Sequence, residues 1–349
     1  MNRAGFGGLL VLCAFTAQLF AQNRVDDTGP PPVVVLPTTL QLATPPIVLP
    51  RLVPGLLVST GGARKQFEGR YSLQKIGQRG IGKGLNTFTA EEEVQLGMRW
   101  VKEVDVSIAA HLVADPMITE YVNRIAQNIA RASDLNAPIT VKVIDSDQVN
   151  AFSLPGGFLY ISSGMILLFD EEAELAGVVG HEVAHLAARH STREISRSRL
   201  IESAFRASEP KSWWGKLLTR AVRVVAEDLA TLKFSRGFEK EADLLAMQYT
   251  YAAGYDLNAY PRTLEKLLQK ERGTPTFLDR IFSTHPLTQD RIQRCERIIE
   301  DYFPDREAYQ LTSSDFENVK ARVAEMHMTH VYRTDEEEED ENTPVLRRR

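Results

Sequence analysis

The sequence is poor in residues that cross-link or ligate: it has two cysteines and seven histidines in 349 residues. Cys13 lies in the N-terminal apolar run, and Cys295 falls in helical step with Ile292 and Ile298/Ile299. Loss of the first leaves a single thiol, buried on that helix, and excludes an intramolecular disulfide. Stability then has to come from a core or from a metal. No apolar run reaches the roughly 20 residues that a membrane-spanning helix needs. There is no internal repeat. With 43% apolar and 25% charged residues, collagen-like, coiled-coil and wholly disordered chains are excluded. Net basic charge is missing too. The total is −5, and the tail with the seven acids Asp335 to Glu341 and the three bases Arg347 to Arg349 carries −4 of it, leaving −1 for the rest. A near-neutral body argues against a nucleic-acid partner.

What is present falls into four parts. Asn2-Arg3 precedes an apolar run from Leu9 to Ala21 broken only by Thr16 and Gln18. This pattern predicts a signal peptide over 1–21 and a periplasmic or otherwise extracytoplasmic location, with an uncleaved anchor as the second choice. Leu12 before Cys13 disfavours a lipoprotein. Pro30 to Pro54 holds eight of the seventeen prolines, which forbids a helix or a central strand and predicts an extended Pro/Gly-rich tether over 22–88. Order is expected from Thr89, an N-cap for a helix to about Glu103, through a folded domain ending near 304. Asp115-Pro116 opens a second helix with Ile118, Tyr121, Val122, Ile125 and Ile129 on one face. Ile139, Val141 and Val143 alternate as a strand, and Phe158 to Ser162 forms another after the Pro155-Gly156-Gly157 turn. From Asp170 the spacing is helical. The expected class is α+β, mainly α, with a small sheet, and residues 305–349 read as a helix around Phe316 to Met326 followed by a disordered charged tail.

The chemistry concentrates in His181-Glu182-Val183-Ala184-His185. On a helix, positions i and i+4 share one face. Asp170 as cap, acids at Glu171, Glu172 and Glu174, and the stripe Leu175, Val178, Val179, Val183 and Leu186 all predict that helix. Two imidazoles can then share a zinc ion while Glu182 lies beside water at the open position. A third ligand is needed. His190 is one residue out of step with the metzincin pattern and is expected to cap the helix or meet a carboxylate. Downstream, Glu239 and Asp243 are again i, i+4 on a helix ending near Gly254. One of them can ligate zinc while the other holds a ligand histidine in its tautomer.

These motifs resemble the gluzincin metallopeptidases related to the CAAX prenyl endopeptidase (peptidase clan MA, family forty-eight). The similarity is greatest to soluble periplasmic members and runs from about Glu91 to Tyr302. It rests on Asn150-Ala151-Phe152 with Pro155-Gly156-Gly157, on the histidine helix, on Ser235-Arg236 through Asp243, and on His285-Pro286 with Arg291. The resemblance implies a zincin-like domain with one zinc per chain, held by His181, His185 and Glu239. It makes Glu182 the general base and places Asp243 behind the ligands. It gives His285 either an oxyanion-stabilising role or that of a latency ligand, beside the plain alternative of a structural histidine. Polypeptide substrates are expected to pair with an edge strand between Asn150 and Ser162, with Asn150, Phe152, Gly156 and Gly157 lining it. The implied function is hydrolysis of misfolded envelope proteins. Its rival is a non-catalytic chaperone or assembly factor with a structural zinc, which would have no use for Glu182. The amphipathic segment from Trp213 reads as a lid or as a peripheral membrane contact, and the resemblance also admits an outer-membrane assembly contact. Oligomeric state stays open.

Overall fold

Side-chain caps set where the helices begin. Thr89 accepts from the Glu92 N–H while the Glu92 carboxylate accepts from the Thr89 N–H, a capping box that starts α1 (Ala90–Ser107). Asp115 caps α2 (Pro116–Arg131) through the Met117 N–H, with Pro116 at a position that needs no donor. Ile118, Tyr121, Val122, Ile125 and Ile129 of α2 are buried, the face that their spacing predicts. The computed structural model describes residues 64–207, 234–270, 285 and 288–342, all within one compact unit, Leu57–Arg349.

Three short strands follow: β1 (Thr140–Ile144), β2 (Ala151–Leu154) and β3 (Phe158–Ser162). Their order is β1-β3-β2. β1 runs parallel to β3 with Val141 opposite Leu159, and β2 runs antiparallel to it with Phe152 opposite Tyr160. The central strand is covered on both faces. Leu159 and Ile161 join the main core with α2, while Tyr160 packs with Leu96 and Trp100 of α1. β2 is left at an edge of the sheet.

After α3 (Ser163–Leu168) comes α4 (Glu172–Ala187), buried over all 16 residues. A helix with no solvent face must satisfy its polar groups internally. At its start Glu172 accepts from the Tyr121 and Tyr255 hydroxyls at 2.7 and 3.1 Å, and also from Gln310 and Ser313. Two glycines let its neighbours close in. A Cβ at Gly177 would lie 3.0 Å from the Tyr260 ring, and one at Gly180 would lie 2.8 Å from Thr250 Cγ2. These neighbours belong to α7 (Ala259–Lys270) and α6 (Arg236–Ala253). α6 starts at the Ser235 cap and stops at Gly254, whose φ of 96° is left-handed. α5 (His190–Ala207) follows α4, and α8 (Gln289–Tyr302) packs on α7 and α6, with Cys295 buried as the sequence predicts. α9 (Ser314–Asn342) buries Phe316, Val319 and Val323 against α2 and α3.

Three expectations need correction. Residues 64–88 are packed against the domain: Phe67 stacks on Tyr302 at 4.7 Å, and Arg79 is buried in an ion pair with Asp134. Gly82 makes the fit possible, because at its φ of 84° a Cβ would lie 2.8 Å from the Ala187 carbonyl oxygen. The last helix runs through the acidic residues to Asn342 instead of giving way to a disordered tail after Met326. Its sequence, with seven Glu among 29 residues, favours helix, and the first breaker is Pro344. Finally, α4 is capped by Glu171 rather than Asp170, whose carboxylate pairs with Lys266. The segments predicted as signal peptide, as the proline-rich part of the tether and as the Trp213 helix lie outside the described residues. Among the described residues no helix is long and apolar enough to cross a membrane.

Candidate metal centre and active site

The last turns of α4 carry His181 and His185, whose Nε2 atoms stand 3.1 Å apart. α6 crosses at Gly180 and brings Glu239 over both rings: Oε2 lies 3.6 Å from His181 Nε2, and Oε1 lies 3.5 Å from His185 Nε2. His285, just ahead of α8, adds Nδ1 at 2.7 Å from Glu239 Oε1 and 3.4 Å from His181 Nε2. One donor atom from each of these four residues fits within 4.8 Å of the others. The first three side chains are buried and His285 is partly exposed.

The outer contacts decide what the cluster can hold. His181 Nδ1 donates to the Tyr260 hydroxyl at 3.0 Å, which in turn donates to Asp243 Oδ1 at 2.8 Å. Asp243 itself is 3.5 Å from His181 Nδ1. With its proton on Nδ1, a neutral His181 aims the Nε2 lone pair at the Glu239 carboxylate and at His185. Lone pairs and carboxylate oxygens converging among largely buried side chains favour a cation between them. Burial disfavours charge on His181, yet Asp243 and Glu239 raise its pKa to about 9. Burial also pushes Glu239 up, but His285 and His181 hold it well below the usual carboxylate range. His185 is driven down by burial and by the neighbouring His181. The site therefore demands positive charge at its centre, and its nitrogen and oxygen donors fit a divalent metal.

Glu182 faces the same cluster. Its Oε2 accepts from Ser153 Oγ at 2.7 Å, and its Oε1 lies 3.5 Å from His285 Nε2. Asp243 is satisfied by Arg291, through Nη2 at 2.7 Å and Nε at 3.1 Å, and by Arg294. Burial raises its pKa, but His181 and Arg291 bring it down to about 2. Arg291 also reaches Glu239 Oε2 at 2.9 Å, tying the two carboxylates of α6 together. His190 meets a carboxylate as the sequence suggests, that of Glu241.

The residues expected to line the substrate strand divide. Asn150 and Phe152 flank the start of β2, where the Asn150 backbone bonds Ser162 and Phe152 stacks on Tyr160 at 4.8 Å. The two glycines let neighbouring backbone pack closely against the turn. A Cβ at Gly156 would lie 2.9 Å from Val94 Cα, and one at Gly157 would lie 2.0 Å from the Pro138 carbonyl oxygen. Three participants escaped sequence reasoning. Ser153 carried one signal, being in the edge-strand segment next to Phe152. Tyr260 and Arg294 carried none, because only the packing of α7 and α8 on α6 brings them in.

The sequence model described as "Peptidase family M48" matches residues 116–299, which include every residue of the cluster. The beta-barrel assembly-enhancing proteases of Yersinia pestis and Escherichia coli (strain K12) are 27% and 28% identical over 256 and 257 residues, covering 69% of this chain and 50% of each relative. The mitochondrial metalloendopeptidase OMA1 of Schizosaccharomyces pombe is 30% identical over 197 residues, 56% of either chain. The chain thus spans about half the length of the curated relatives it matches. With the family match extending over more than half of the sequence and through the His–Glu cluster, the chain belongs to peptidase family M48.

Proposed function

We propose that the chain is a zinc-dependent endopeptidase that hydrolyses peptide bonds in misfolded extracytoplasmic proteins. The observation that carries this reading is Glu182, a carboxylate beside the donor cluster that a purely structural metal site would not use. His181, His185 and Glu239 are the protein ligands, an N,N,O set suited to zinc. Bound there, the ion supplies Lewis acidity toward water and toward the scissile carbonyl. Glu182 takes the proton from the attacking water and delivers it to the leaving amine. Ser153 holds that carboxylate in place. Substrate lies extended along the outer edge of β2, and recognition falls on its main chain more than on its side chains. That mode suits misfolded substrates.

His285 supplies the fourth donor of the cluster. In that position it fills the place that catalysis needs open, and this reading makes the resting chain latent. The name of the bacterial relatives, beta-barrel assembly-enhancing protease, supports a role in envelope quality control. The N-terminal apolar run supports export.

The test is zinc content and casein cleavage measured together on the full chain, on Glu182→Gln and on His285→Ala. One zinc per chain is expected throughout. Glu182→Gln should cut turnover by about 10²–10⁴-fold, the range for a general acid–base group, and His285→Ala should raise it. Absence of zinc from the unmodified chain overturns the assignment, and full activity in Glu182→Gln overturns the mechanism. Unchanged envelope-protein turnover in a deletion strain would remove the quality-control role.

A further inference from the structure

The two histidine ligands of the proposed centre are held differently from behind. His181 reaches a carboxylate through Tyr260, and nothing so far accounts for the orientation of His185. Its Nδ1 faces Nδ1 of a second histidine, His190, at 3.0 Å, with the rings edge to face at 4.8 Å between centroids. His190 is fully buried. It is delivered there by a sharp reversal after α4, where Arg189 adopts a left-handed φ of 55°, unique among the described non-glycine residues. Arg189 is held in that bend by Glu93 and by the Phe88 and Thr89 carbonyls. Phe238 stacks on the His190 ring at 4.4 Å and fixes its plane. The other nitrogen, Nε2, lies 3.3 Å from Glu241 Oε2. Glu241 also accepts from the Tyr71 hydroxyl at 2.9 Å, and Arg193 and Arg70 reach it at 3.3 and 3.4 Å.

The direction of each hydrogen bond follows from the one behind it. Glu241, ringed by two guanidiniums and a hydroxyl, is an ionised carboxylate and can only accept. His190 Nε2 must therefore carry the proton, which leaves a lone pair on Nδ1. His185 then has to donate from its own Nδ1, and its Nε2 lone pair points at His181 and Glu239. The opposite order would put a proton on His185 Nε2, where a metal ligand cannot have one. We propose that His190 and Glu241 are positioning residues that lock His185 in its ligating tautomer, so that the metal centre extends through a Glu241–His190–His185 relay. A ligand histidine ordinarily donates its second N–H straight to a carboxylate, carbonyl or water. Here a second imidazole is interposed, and Tyr71 and Arg70, from the segment ahead of α1, help hold the far end.

This inference rests on the metal-centre reading, and zinc affinity tests it separately from peptidase activity. Zinc dissociation constants are measured by chelator competition on the full chain, His190→Leu, His190→Gln and Glu241→Leu, with thermal melts of the metal-free proteins as the check on folding. His190→Leu, which cannot accept from His185, should bind zinc about 10–100-fold more weakly, the usual loss for a group behind a ligand. His190→Gln keeps an amide oxygen to accept and an amide N–H to donate to Glu241, and should recover most of that loss. Glu241→Leu should weaken binding at least fivefold, and it carries the test if His190→Leu fails to fold. Zinc affinity within twofold of the unmodified chain in a folded His190→Leu, or in Glu241→Leu where that variant is the test, overturns the relay. So does a His190→Gln variant as weak as His190→Leu. An unmodified chain that binds no zinc removes the relay together with the metal centre beneath it.

Discussion

Ser153 shows how much a single hydroxyl can decide. Its hydrogen bond to Glu182 Oε2 at 2.7 Å links the proposed base to the strand on which substrate would lie. A hydrogen bond to a charged group is worth about 1.5–3 kcal/mol, so Ser153→Ala should lower kcat about 10–100-fold. KM should stay nearly constant, because in the proposed mode substrate would pair with the β2 main chain and the Ser153 side chain would not be part of that contact. Steady-state kinetics on a fluorogenic peptide separates the two, and a change confined to KM would assign Ser153 to substrate binding instead. The histidine pair was legible in the sequence because its geometry is local: i and i+4 on a helix share a face whatever the rest of the fold does. Tyr260 was not, since it stands 79 residues from the histidine that it touches and joins it only when α7 packs on α4.

Between elements, the close crossing of α4 and α6 brings the two halves of the centre together. Gly180 permits it: a Cβ there would sit 2.8 Å from Thr250 Cγ2 and 3.4 Å from the Ala246 carbonyl oxygen. Gly180→Val adds branched bulk to that contact, and overpacking of this kind costs about 1–3 kcal/mol. The denaturation midpoint should fall accordingly in urea. Zinc affinity should fall with it, because Glu239 would be pushed away from the rings. Gly180→Val with a lowered midpoint and unchanged zinc affinity would mean that α6 slides without opening the centre. Helix positions were readable from caps and stripes, as Thr89, Asp115 and Gly254 demonstrate. The packing of 64–88 was not, because Gly77, Gly80 and Gly82 look the same in sequence whether they loosen a linker or let it hug a helix end. The close packing at Gly156 and Gly157 was hidden in the same way, since a sequence shows the absence of a side chain and not what fills the space.

For the whole molecule, the centre couples stability to pH in a way that reveals whether a metal is bound. In the metal-free fold the His181 pKa is raised to about 9 from an ordinary value of 6.5. A group with a raised folded pKa stabilises fully below its unfolded value and loses that contribution as pH climbs through the folded one. Metal-free stability should therefore decline between pH 6.5 and 9, at up to about 1.4 kcal/mol per unit. Asp243 and Glu239 are depressed carboxylates, and their contribution is already complete at pH 6.5 and disappears only on acidification. His185 is driven down, so only its unfolded form sheds a proton as pH rises from 6.5 to about 7.5; that opposes the decline over this first unit and adds no slope above it. In the proposed centre zinc would take the place of the His181 proton, so a loaded protein should lack this decline. It should also be more stable at pH 7, by about 2.7 kcal/mol when free zinc stands at a hundred times its dissociation constant. Urea unfolding at pH 6.5 and 9, with chelator and with zinc, gives the four numbers required. A chelated chain as stable at pH 9 as at 6.5 would mean that the buried cluster does not call for positive charge, and the electrostatic case for a metal there would fall with it.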